Sequence, residues 1–217
     1  MVGQGIGDRR TRRTRQALEQ ALLELIEEQS YEVITIQQIT DRANIGRATF
    51  YLHYADKEQL LLATLQRLTD DLVRSLPSLK AQDLLAEDRT LLNAVFQHVA
   101  RYRRLYRALL GEHGPALVLR RLHDYLAEQI EQRIVAPLLR EASEASEACE
   151  DAAQGPHAPE SFLAAYLSGA LLASVTWWLD RDCQESPEEM ALLVLRVNRS
   201  GLLQTLGVDV ERWRERA

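Results

Sequence analysis

Residues 46–54 read GRATFYLHY, gathering an Arg, a Thr, two Tyr and a His directly after a glycine. Arg47 offers a planar fork of N–H donors, Thr49 and Tyr51 offer hydroxyls, and His53 offers an imidazole. A helix interior has little use for that mixture. It suits a helix pressed against a polar, negatively charged surface, where a guanidinium meets paired acceptors and hydroxyls meet anionic oxygens. Catalytic chemistry lacks the spacing it needs. The histidines, at 53, 98, 113, 123 and 157, form no HxxxH or HExxH pair, no glycine-rich phosphate loop occurs, and no serine stands in a nucleophile elbow. The expectation is therefore no enzyme: no catalytic residue, no metal ligand and no cofactor.

The chain has 217 residues and a net charge of −6, so an indiscriminate nucleic-acid binder is not expected. Its charge is unevenly placed. Arg9, Arg10, Arg12, Arg13 and Arg15 open the chain without an intervening acid, whereas Glu141, Glu144, Glu147, Glu150 and Asp151 dominate a later stretch. A basic start on an acidic body suggests a local anionic partner. Cys149 and Cys183 have no CxxC spacing, and MVGQGIGDRR contains no apolar leader segment, which points to the reducing cytoplasm. Phe162 to Leu179 carry no charge and approach the length of a membrane span. Ser168, Gly169, Ser174 and Thr176 interrupt them and acids flank them, so a buried helix and no membrane partner are expected.

The elements that would position GRATFYLHY are all helical. Leu18, Ala21, Leu22, Leu25 and Ile26 recur at three- and four-residue spacing, predicting a first helix over 10–28. Thr35 and Gln38 have the spacing of a capping box that starts a short second helix. Asn44 suits a left-handed turn and Gly46 the cap of a third helix over 47–54. Asp56 with Gln59 opens a fourth helix. On that third helix Phe50 and Leu52 are expected to face the core, with Tyr54 packed against the first or fourth helix. Later helices are expected over 88–100, 102–110, 115–140, the uncharged stretch, and a last one after Ser186, with Pro137 kinking the long one. Residues 141–158 are expected to be an exposed loop. The fold class is all-α.

Two short helices around a tight turn, held by longer ones, have helix-turn-helix spacing. The run ALLELIEEQSYEVITIQQITDRANIGRATFYLHYADKEQLLLATL, and TFYLHYADKEQL above all, resembles the DNA-binding head of the TetR family of bacterial transcriptional regulators. The resemblance implies a DNA-binding domain at 9–70 with its helix-turn-helix at 35–54, and a helical regulatory and dimerisation domain at 71–217. It implies that Gly46, Arg47, Ala48, Thr49, Tyr51 and His53 face operator DNA, and that Thr35 and Lys57 hold phosphates at helix N-termini. Arg12 and Arg13 would follow the minor groove or backbone. The family commonly has Gly where this chain has Asn44, and Ser or Thr at Gly46, so this chain lacks a side-chain cap at that position.

For the C-terminal part, GALLASVTWWLDRDCQESPEEMALLVLRV resembles the ending of a subset of the family. It implies a homodimer through the last two helices, with Ala164, Ala165, Ser168, Gly169, Ala173, Leu195 and Leu202 at the interface. A small-molecule effector would sit among His98, Tyr102, Tyr106, His123, Tyr166, Trp177 and Trp178. The function implied is a ligand-responsive repressor on a palindromic operator. The alternatives are an activator, a regulator controlled by a protein partner, or a membrane-surface or interaction protein built on the uncharged helix.

Overall fold

The computed structural model describes residues 4–76, 83, 86–111, 115–140 and 158–205, with side chains from Arg9 onward. Among these residues there is no strand; the named elements are the α-helices α1 (Gln4–Glu28), α2 (Ile36–Ala43), α3 (Arg47–Tyr51), α4 (Lys57–Ser75), α5 (Thr90–Arg101), α6 (Arg103–Leu110), α7 (Ala116–Ile130), α8 (Glu160–Asp180) and α9 (Pro187–Thr205), with a 3-10 turn at Tyr31–Val33 and a π-turn at Glu131–Val135. The expected loop at 141–158 lies outside the described residues except for Ala158, as do Cys149, His113 and His157. The chain forms two compact units, one of residues 1–71 and 102–122, the other of 72–101 and 123–217. Residues 102–122, expected in the C-terminal domain, thus pack in the first unit.

In the first unit every member of the α1 stripe, Leu18, Ala21, Leu22, Leu25 and Ile26, is buried. Ile34, Ile39, Phe50, Tyr54 and the α4 leucines Leu60, Leu61 and Leu65 are buried in this unit as well. A helix of five residues such as α3 cannot stand alone in water. Full burial of Phe50 contributes roughly 1.5–3 kcal/mol to holding it. The caps follow the sequence signals. Thr35 Oγ1 accepts from the Gln38 amide at 3.2 Å while the Gln38 side chain accepts from the Thr35 amide at 2.9 Å. Asp56 and Gln59 form the same reciprocal pattern ahead of α4, except that Gln59 accepts from the Ala55 amide. Asn44 adopts φ 53° and ψ 47°, the left-handed conformation that turns the chain between α2 and α3.

In the second unit α5 packs along α9, and Phe96 of α5 stacks edge-on against Trp178 of α8 at 5.5 Å. Ser186 and Glu189 close a second full capping box at the start of α9. Pro137 acts one turn earlier than a simple kink: residues Glu131–Val135 form a π-turn, with the Ala136 amide bonded to the Glu131 carbonyl. A proline has no N–H and crowds the carbonyl four residues before it, and the widened turn relieves both. Of the long helix's expected inner face, Leu122 and Leu138 are buried, but Leu117 is exposed and Val118 takes the inward position.

Candidate nucleic-acid interface

The α2–turn–α3 pair is fixed from three sides. Arg42 on α2 makes a two-pronged ion pair with Glu28 at the end of α1, at 2.9 and 2.7 Å, which holds the Glu28 carboxyl below its usual range. Tyr54, after α3, is buried, and its hydroxyl donates to Glu19 of α1 at 3.1 Å. Glu19 is only 5% exposed and also accepts from Arg67 of α4. This carboxylate therefore ties the recognition segment to both long helices, and burial with the neighbouring Glu19 charge pushes the Tyr54 hydroxyl pKa up. In the sequence the only signal for Glu19 is its place next to Leu18, on the edge of the apolar stripe.

Lys57 is engaged within the free protein. Its ammonium donates to the carbonyls of Tyr31, Glu32 and Ile34 at 3.0, 3.2 and 3.0 Å, and lies 4.4 Å from the centre of the Tyr31 ring. All of its donors are spent on the connection between α1 and α2. Thr35 remains exposed, its hydroxyl engaged in its own capping box.

On α3 itself Gly46, Arg47, Ala48 and Tyr51 are exposed and Thr49 and His53 half-buried, while Phe50 is fully buried. The Tyr51 ring packs edge-on against Phe50 at 5.4 Å, which orients its hydroxyl end outward. Leu52 reverses its expectation: it is 81% exposed. Residues two apart point to opposite sides of a helix, so Phe50 and Leu52 cannot share the core face. Arg12, Arg13 and Arg15 are exposed on α1. Burial and then the nearby Arg15 charge depress the His53 pKa. Capped short helices and an exposed helix face with Arg47 and Tyr51 outward have the chemistry suited to the groove and backbone of duplex DNA.

Residues 19–64 match the family described as "Bacterial regulatory proteins, tetR family", and residues 89–199 match "Transcriptional regulator C-terminal region", more than half of the chain. The chain belongs to the TetR family. It is thus a helix-turn-helix, DNA-binding transcriptional regulator, in a family of regulators rather than enzymes. The head is 51% identical over 67 residues to the uncharacterised HTH-type transcriptional regulator YxbF of Bacillus subtilis, a match spanning 30% of this chain and 18% of that protein. A TetR-family regulator of Syntrophomonas wolfei superposes with a TM-score of 0.61 at 20% identity, covering 90% of this chain and 95% of that one. The FadR repressor of Thermus thermophilus, solved in complex with lauroyl-CoA, superposes at 0.54 and 19% identity, covering 84% and 92%. At these identities the structures share the fold.

The effector candidates scatter. Tyr102 and Tyr106 lie in the first unit; Tyr106 is buried and its pKa is pushed up to about 12, chiefly by burial. In the second unit Trp178 is core, its indole N–H donating to the Glu185 carbonyl at 2.8 Å. His98 and His123 are half-buried, and Tyr166 and Trp177 are exposed on α8. The dimer candidates also divide. Ala164, Ser168 and Leu195 are buried within the protomer, Ser168 donating to the His123 carbonyl at 3.0 Å, and Gly169 lies against the His123 ring. Ala165 and Leu202 are half-buried and Ala173 is exposed. A groove of about 370 Å³ between α8 and α9 is lined by Tyr166, Ala173, Trp177, Leu193, Val197 and Asn198, among others. Of the small-residue stripe, Ala173 lies in this groove, whereas Ala164 and Ser168 are covered within the protomer.

Proposed function

We propose that the chain is a cytoplasmic, ligand-responsive repressor that binds a palindromic operator as a homodimer. The observation that carries the operator reading is the exposed face of α3, with Arg47 and Tyr51 outward and Arg15 beside His53. Arg47 stands to read a guanine edge through paired donors, and Arg12, Arg13 and Thr35 to hold phosphates. The homodimer reading is supported by the open apolar groove of α8 and α9, since two copies give the two half-sites one helical turn apart that a palindrome needs. The T. thermophilus repressor was solved with a ligand of its own, lauroyl-CoA. By that analogy a small molecule here would favour a dimer whose recognition helices no longer fit both half-sites, releasing the DNA by population shift.

The test uses the duplex that the full-length protein enriches from a random pool. Replacing Arg47 by Ala removes the guanine contact, worth about 1–3 kcal/mol per site. Affinity measured by fluorescence anisotropy is expected to fall at least about tenfold, with sedimentation unchanged. Retained affinity would mean that α3 is not the reading helix.

A further inference from the structure

The geometry points to Ala48 and Leu52 as an apolar stripe that reads thymine methyl groups, with Leu52 setting operator specificity. Leu52 keeps right-handed helical dihedrals, φ −74° and ψ −17°, so it continues the α3 spiral for one more residue. At 100° per residue, Ala48 and Leu52 lie about 40° apart and each about 160° from buried Phe50. They are therefore the outermost points of the helix. Arg47 and Tyr51 fall on one flank of that stripe, Thr49 and His53 on the other. The polar contacts thus frame an apolar centre.

A leucine 81% exposed in the middle of a polar, basic face stabilises nothing in the free protein. Of the base edges in the major groove, only thymine presents a methyl group, and apolar side chains recognise it by excluding water from it. Given the operator reading of the head, on which this rests, the chemistry that fits the stripe is a thymine methyl in each half-site. Ala48 allows the close approach and Leu52 supplies the reach. Cytosine at the same step would bring an amino group against the leucine and leave its donor unpaired, which converts one apolar contact into discrimination.

The experiment pairs a change in the DNA with a change in the protein. A palindrome is enriched from a pool of duplexes with roughly 20 randomised base pairs, enough for two half-sites. Each thymine is then replaced in turn, symmetrically, by deoxyuridine, which removes only the methyl group. Affinities are measured for the unaltered protein and for Leu52→Ala, with a urea midpoint to show that the exposed substitution leaves the fold intact. At one thymine per half-site, deoxyuridine is expected to weaken the unaltered protein about fourfold per methyl lost. The same change is expected to leave Leu52→Ala unaffected. If Leu52→Ala keeps the full uracil sensitivity at every position, or no methyl matters to the unaltered protein, the stripe does not read thymine. Failure to enrich any duplex overturns the operator reading and this inference with it, whereas enrichment with an unchanged uracil profile overturns only the role of Leu52.

Discussion

Lys57 shows how a residue's role is decided by what its donors meet. A lysine at the first position of a helix is well placed for a phosphate, because the backbone N–H groups there already favour anions. Here its ammonium instead closes the α1–α2 connection by bonding three consecutive-turn carbonyls, and its charge rests on the Tyr31 ring. Lys57→Met keeps the aliphatic stem but leaves those carbonyls to water. Hydrogen bonds from a charged donor each contribute about 1.5–3 kcal/mol, and solvent recovers part of that at this half-exposed site, so a loss of about 2 kcal/mol is expected in urea denaturation. A phosphate contact would instead show in the salt dependence of operator binding, whose slope would drop by about 1.8 for the two contacts of a dimer. The expected outcome is a lower midpoint with an unchanged slope.

At the scale of elements, the turn between α2 and α3 joins two requirements. Asn44 takes the left-handed conformation, and Gly46 caps α3 without a side chain. Gly46 has ordinary extended dihedrals, φ −68° and ψ 146°, and a Cβ there would meet nothing within 4 Å. Its glycine is therefore not demanded by the backbone. Gly46→Ser adds a hydroxyl acceptor for the α3 amides and removes freedom from the unfolded chain, together worth about 0.5–1 kcal/mol. A rise in thermal midpoint is expected, and a fall would show that the added side chain disturbs the turn.

For the whole molecule, the feature to be accounted for is the apolar groove of α8 and α9. Glu160–Asp180 is long and apolar enough to cross a membrane by composition, with a mean hydropathy of 1.5. One side of it is nevertheless committed to the second unit's core through Leu163, Ala164, Leu172, Val175, Trp178 and Leu179. The other side presents Phe162, Tyr166 and Trp177, joined by Leu193 and the 77% exposed Val197 of α9. In the proposed dimer this surface is covered by its own copy. Val197→Glu places a charge on each side of a two-fold contact, where desolvation and like-charge repulsion add. Sedimentation is expected to show a monomer that has lost operator affinity by well over tenfold, with helix content unchanged. A dimer that survives the change would put the subunit contact elsewhere.

Local signals were legible wherever the physics is local. Capping boxes at Thr35 and Ser186, the left-handed Asn44, the α1 stripe and the polar residues of α3 all act within a turn or two of chain, so composition and spacing determined them. Family membership followed from the same run of residues. Tertiary structure decided what depends on a neighbour far along the chain. Leu52 is bare because none of the described elements covers that side of α3, and Lys57 is spent because the α1–α2 connection passes over it. Glu19 is buried because Tyr54 and Arg67, 35 and 48 residues away, reach back to it. On α8 Ser168 turns inward and Trp177 outward, and the near-uniform hydrophobicity of that helix gives its sequence no preferred face from which to read this. An apolar residue can be covered by its own chain, by a partner copy or by a DNA methyl group with similar gain, and only the positions of the other helices choose among them.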